Sequence, residues 1–177
     1  MRTPEVPNPE PSKSASIPRW LVPIIWAVGF PLAHVALPWG ISLLSARYGW
    51  VAGRPGSVNL LAWILILTGL GGVLWTMALH LAQTPSKVEL ERTPKYLLRQ
   101  GPYQFTRNPM YLAELILWLG WALFYGSIAV LISLLVIGSL MNLRVVRREE
   151  PELEARFGEV YRQYKRTVPR WLGKIRN

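Results

Sequence analysis

Three long stretches without charge constrain this chain more than any other feature. Trp20 to Ala46 and Val58 to Thr84 carry no charged residue, and Pro109 to Leu143 carries only Glu114. A bilayer core asks for about 20 apolar residues per helix, and each stretch is at least that long. The third suffices for two spans if it folds back near Gly126 and Ser127. A soluble domain would need polar faces that these segments lack. The expected fold is therefore all-α, an integral membrane bundle of about four transmembrane spans.

The net charge of +10 matters through its placement. Lys87, Arg92, Lys95, Arg99 and Arg107 lie between the second and third spans, and ten basic residues follow from Arg144 to Arg176. The first inter-span loop holds only Arg47 and Arg54. The positive-inside rule then puts both termini and the long middle loop in the cytoplasm, with the plasma (inner) membrane as the expected location. A basic surface can serve nucleic acid, but here it adjoins span ends and faces anionic lipid. Membrane lipids are thus expected as partners, and nucleic acid is not. With no cysteine and two histidines, His34 and His80, each alone in an apolar stretch, no metal site is expected; both histidines read as packed or helix-bonded. Nine tryptophans suit interfacial anchoring.

Residues 1–16, rich in Pro, Ser and Glu, should be disordered, leaving 17–177 as a single domain. The first apolar stretch is too long and begins too late for an ordinary signal peptide. Pro23, Pro31 and Pro38 should bend or break it. Gly69, Gly71 and Gly72 in the second span suit close helix approach. Residues 84–108 form a long polar loop, ending in a segment where Asn108 suits the N-cap and Pro109 the first turn of the next helix. After Arg144, Pro151 should kink or end the helix and open another, with Glu152 and Glu154 in its first turn. Leu153, Phe157, Val160, Tyr161 and Tyr164 then recur at helical spacing. This is a C-terminal amphipathic helix, on the surface or folded over the loop as part of a cytoplasmic cap.

Three features place chemistry at that cap. Gly101 to Tyr111 supplies a tight turn, a helix N-terminus suited to anions, two tyrosines and Arg107. Arg144 precedes Glu149 and Glu150, which adjacent helical positions point about 100° apart; one can pair with Arg147 or an arginine of the next turn while the other faces inward. Glu114, three residues after Tyr111, is an intramembrane carboxylate and so a functional candidate, unless it reaches back to Arg107.

Gly-Pro-Tyr-x-x-x-Arg-Asn-Pro-x-Tyr (101–111) and, beyond a hairpin of spans, Arg-x4-Glu-Glu-x-x-Leu-x-x-x-Phe-Gly-x-x-Tyr-x-x-Tyr (144–164) resemble the isoprenylcysteine carboxyl methyltransferase and phospholipid methyltransferase superfamily. The match covers residues 92–171. The resemblance implies a membrane methyltransferase using S-adenosylmethionine. It assigns Tyr103, Arg107, Asn108, Pro109, Tyr111, Glu149 and Glu150 to the cofactor and sets Arg144 near the transfer site. The role of Glu114 is inferred from its position alone. Where the family's commonest form has Arg-His-Pro, this chain has Arg-Asn-Pro, and asparagine does not titrate. The acceptor is expected to be lipid-like or small and hydrophobic, such as an isoprenylcysteine carboxylate or a phospholipid amine. A sterol-type reductase using NADPH and a non-enzymatic basic membrane adaptor are the competing readings.

Overall fold

A computed structural model describes residues 16–18, 20–83, 87–89 and 96–173. The chain is an all-α membrane bundle. Helix α1 (Leu21–Pro31) continues through a π-helical turn (Leu32–Ala36) into α2 (Leu37–Ser42). Then come α3 (Ser57–Gln83), α4 (Pro109–Tyr125), α5 (Ile128–Arg144), a second π turn (Val145–Glu149) and α6 (Glu150–Thr167). The three prolines of the first stretch do not break it. The π turn follows Pro31 directly and closes with the Leu37 N–H on the Leu32 carbonyl.

Three helical runs among the described residues are long and apolar enough to span a membrane, those starting at Leu21, Ser57 and Ile128. Expected as a full span, α4 is shorter, with 17 residues. At 1.5 Å per residue it reaches about 25 Å, less than the roughly 30 Å of a bilayer core. It is also the most buried helix, with Leu117, Trp118, Trp121 and Ala122 in the main core beside Ile66 and Val130. Around it, Leu61, Ile64 and Leu67 of α3 and Leu135 and Leu140 of α5 are exposed, a surface suited to lipid and not to water.

The closest packing is α3 on α4. A Cβ on Gly69 would stand 2.5 Å from the Leu117 nitrogen, and one on Gly120 would meet Ile66. Gly71 has nothing within 4 Å, so the close approach uses Gly69 and Gly72 and leaves Gly71 outside it. As the sequence suggested, α4 and α5 form a hairpin turning at Gly126 and Ser127, with Gly126 in the left-handed conformation. That end is closed by a small hairpin of β2 (Trp50–Val51) and β3 (Arg54–Pro55). There Asn59 donates to the Tyr48 and Leu123 carbonyls, and Arg47 lies over the rings of Trp50 and Tyr125.

At the opposite end is the cap. The expected disorder of residues 1–16 lies outside the described residues except at Ser16, which pairs with Glu89 where β1 (Ser16–Pro18) meets β4 (Lys87–Glu89). Pro151 does not separate α6 from α5: the π turn joins the two helices, and α6 starts one residue earlier, at Glu150, with Pro151 in its first turn. The α6 helix folds over the loop. Tyr161 and Tyr164 pack with Val168 against Leu97, Leu153 and Phe157. Val160, expected on this face, is 47% exposed. Gly158, with φ 52° and ψ −127°, interrupts the helix and rotates the positions beyond it.

Candidate functional site

The two motif stretches face each other across a cavity of about 750 Å³. Tyr103, Arg107, Asn108 and Tyr111 line it from the loop and the start of α4, and Arg144, Glu149 and Glu150 from the far side. Of the nine candidate residues, Pro109 and Glu114 are not on its wall. Pro109 is buried as the opening residue of α4, where its missing N–H costs nothing.

Local structure decides where each carboxylate goes. In the second π turn the Glu150 N–H bonds back five residues to the Val145 carbonyl, a wider winding that often marks functional sites. Glu149 Oε1 accepts from Tyr111 Oη at 2.6 Å and from Arg144 Nε at 2.7 Å. Glu150 faces the opposite way. Its Oε1 accepts from Arg107 at 2.7 Å and Arg170 Nε at 2.8 Å, and its Oε2 accepts from Arg170 at 2.8 Å. Arg147 is not the partner of either, contrary to the simplest expectation from spacing. Burial alone would raise the Glu150 carboxyl, but the Arg170 hydrogen bonds and the Arg107 and Arg170 charges outweigh it and hold the group below the usual range.

Arg170 is a participant that the sequence did not mark. It follows Pro169 beyond α6, in no periodic pattern. Its carbonyl accepts from Thr106 Oγ1 at 2.9 Å and from Asn108 Nδ2 at 3.0 Å, while the Arg107 N–H donates to the Pro169 carbonyl at 3.0 Å. The tail is thereby clamped to the loop. Asn108 occupies the N-cap position, but its side chain makes no capping bond, and its Nδ2 donates to the Arg170 carbonyl. The first N–H groups of α4 are left without that partner.

Tyr103 is fixed at both ends. Its carbonyl accepts from Tyr164 Oη at 2.6 Å, and its hydroxyl lies 2.7 Å from His80 Nε2. Burial, then the neighbouring Tyr96 and Glu149, push its phenol above the ordinary tyrosine range. His80 lines the cavity as well; read from sequence as a packed histidine, it is part of the site. Its lone position in an apolar run gave no hint of this.

Glu114 is buried one turn deeper than Tyr111 and does not reach Arg107, whose guanidinium is held by Glu150. Instead Glu114 Oε1 lies 3.9 Å from His34 Nε2 on the π turn after α1. His34 is stacked on Phe30 and bonded to its carbonyl, as a helix-bonded histidine would be.

These walls combine three glutamates, three arginines, tyrosine faces and a helix N-terminus, in a space within the roughly 300–1,000 Å³ usual for small-molecule and cofactor sites. No solved structure matches the chain. An uncharacterized protein of Haemophilus influenzae is 38% identical over 63 residues, which are 36% of this chain and all of that protein. The model of the phospholipid methyltransferase family matches residues 58–160, which take in α3, α4, α5 and the paired glutamates. With that match over more than half its length, and with both motifs closing on one cavity, the chain belongs to the phospholipid methyltransferase family and is a membrane methyltransferase.

Proposed function

We propose that the protein transfers a methyl group from S-adenosylmethionine to a lipid-like or small hydrophobic acceptor at the cytoplasmic face of the membrane. The observation that carries this reading is the meeting of residues 101–111 and 144–150 around one cavity of about 750 Å³. The groups on its walls suit the donor's charges. Glu149 and the faces of Tyr103 and Tyr111 suit a sulfonium and an ammonium. A carboxylate is suited by the uncapped start of α4 and by the Arg107 cluster, where two guanidiniums share one carboxylate and leave a positive charge unmatched.

S-adenosylmethionine supplies an already activated methyl group, so the protein needs no covalent nucleophile. Its own residues must orient the acceptor and keep water out. Arg144, 65% exposed at the end of α5, is placed for an anionic acceptor head, a carboxylate or a phosphate. The α6 helix and the clamped tail form the lid over the site. The orientation of the cap rests on the excess of Lys and Arg at that end of the bundle.

Calorimetry in detergent tests the cofactor. S-adenosylhomocysteine should bind and NADPH should not; the reverse result identifies a reductase. Transfer of labelled methyl to lipid in reconstituted vesicles tests the reaction. Unchanged transfer in Glu149→Ala would remove this cavity from the chemistry.

A further inference from the structure

His80 sits in the last turn of α3, outside both motif stretches, yet on the cavity wall. Both ring nitrogens meet hydroxyls. Nε2 lies 2.7 Å from Tyr103 Oη and Nδ1 lies 3.4 Å from Tyr96 Oη. The Tyr96 hydroxyl also donates to the carbonyl of His80 itself at 3.2 Å. With Nδ1 carrying the ring proton, Nε2 accepts from the Tyr103 O–H. A basic nitrogen is thus joined to the cavity through one phenol.

Several other groups around the cavity are committed elsewhere. Glu149 Oε1 takes two donors, Tyr111 and Arg144. Glu150 is held by two arginines. The Asn108 amide does not titrate and is spent on the Arg170 carbonyl. The guanidiniums of Arg107, Arg144 and Arg148 offer donors and no acceptor.

The geometry points to His80, acting through Tyr103, as the proton acceptor for a methyl acceptor that arrives as an ammonium. This rests on the methyltransferase reading above. An ammonium nitrogen has no free pair until a proton leaves it. That proton passes to the Tyr103 oxygen while the Tyr103 hydrogen passes to His80 Nε2, giving an imidazolium. The freed pair on nitrogen forms the new N–C bond, and the pair of the broken S–C bond stays on sulfur. Once product leaves, His80 returns the proton to water through Tyr103. A carboxylate acceptor has no proton to lose and would leave the relay idle. Tyr96 and Tyr103 face His80, and Arg107, Tyr111, Arg144, Arg148, Glu149, Glu150 and Glu152 are among the charged and titratable groups on the same wall; the Tyr103 hydroxyl, 2.7 Å from Nε2, joins the imidazole to the cavity.

The test uses the full chain in vesicles of phosphatidylethanolamine and phosphatidylglycerol, with labelled S-adenosylmethionine. His80→Gln can still accept from the Tyr103 hydroxyl but cannot carry the proton. Its rate should fall about 100-fold at neutral pH, with the deficit shrinking as pH rises and the amine deprotonates in bulk water. Its binding of S-adenosylhomocysteine should match the wild type, and Tyr103→Phe should lose rate in the same pH-dependent way. An unchanged pH profile in His80→Gln overturns the relay while leaving the methyltransferase reading intact. So does a loss that is equal at every pH and accompanied by weaker S-adenosylhomocysteine binding, which marks a structural role. Wild-type protein that binds no S-adenosylhomocysteine overturns the methyltransferase reading and the relay with it.

Discussion

Glu149 and Glu150 are neighbours in sequence with unlike surroundings. Glu149 is partly open to the cavity, with 28% of its side chain exposed, whereas 7% of Glu150 is exposed where it joins Arg107 to Arg170. Glu149→Gln should therefore weaken S-adenosylhomocysteine binding about 10- to 100-fold, the worth of a hydrogen bond to a charged group, with little change in thermal stability. Glu150→Gln should instead lower stability by about 3 kcal/mol, the low end for a broken buried pair, because it leaves buried Arg107 and the partly exposed Arg170 without their carboxylate; thermal unfolding in detergent measures it. The pH dependence follows from the same group. The folded carboxyl is held low, so its stabilisation is fully present above its unfolded value and is lost as pH falls through the folded one. Wild-type protein should lose melting temperature in acid more steeply than Glu150→Gln. The motifs made seven cavity residues legible in sequence. Arg170, His80 and the His34 partner of Glu114 were not, since each is joined to the site only by folding.

At the scale of elements, two glycines carry different loads. Gly69 lets α3 and α4 meet backbone to backbone, and Gly69→Val should cost about 1–3 kcal/mol through overpacking. Gly71→Ala, in open space on the same helix, should not destabilise a detergent melt. Gly158 holds a conformation closed to side-chain-bearing residues, and Gly158→Ala should cost about 1–3 kcal/mol. The expected readout is faster proteolysis of α6 and the tail, ahead of any change in the spans. The start of α4 falls at Asn108 and Pro109 as the sequence suggested, although the Asn108 side chain bonds the tail instead of the helix. The paired glutamates point apart as expected, while the π turn joins α5 to α6 without the break expected at Pro151.

The whole molecule is a lipid-facing bundle with a polar cap at one end, and its orientation can be tested directly because the chain has no cysteine. Val51→Cys in the small hairpin is exposed and should react with an impermeant maleimide in intact cells. Leu172→Cys, exposed beside the cap, should react only after permeabilisation; the opposite pattern would invert the proposed topology. Membrane embedding, the all-α class, the hairpin at Gly126 and the motif residues on the cavity wall were decided by sequence alone. They depend on runs of apolar residues and on short local signals, which act whatever the rest of the chain does. The tertiary structure alone decided which arginine meets which glutamate, that α4 is a short central helix, and that His80 belongs to the site. Those outcomes join residues many positions apart, and their energies depend on distance and burial, which no local pattern encodes.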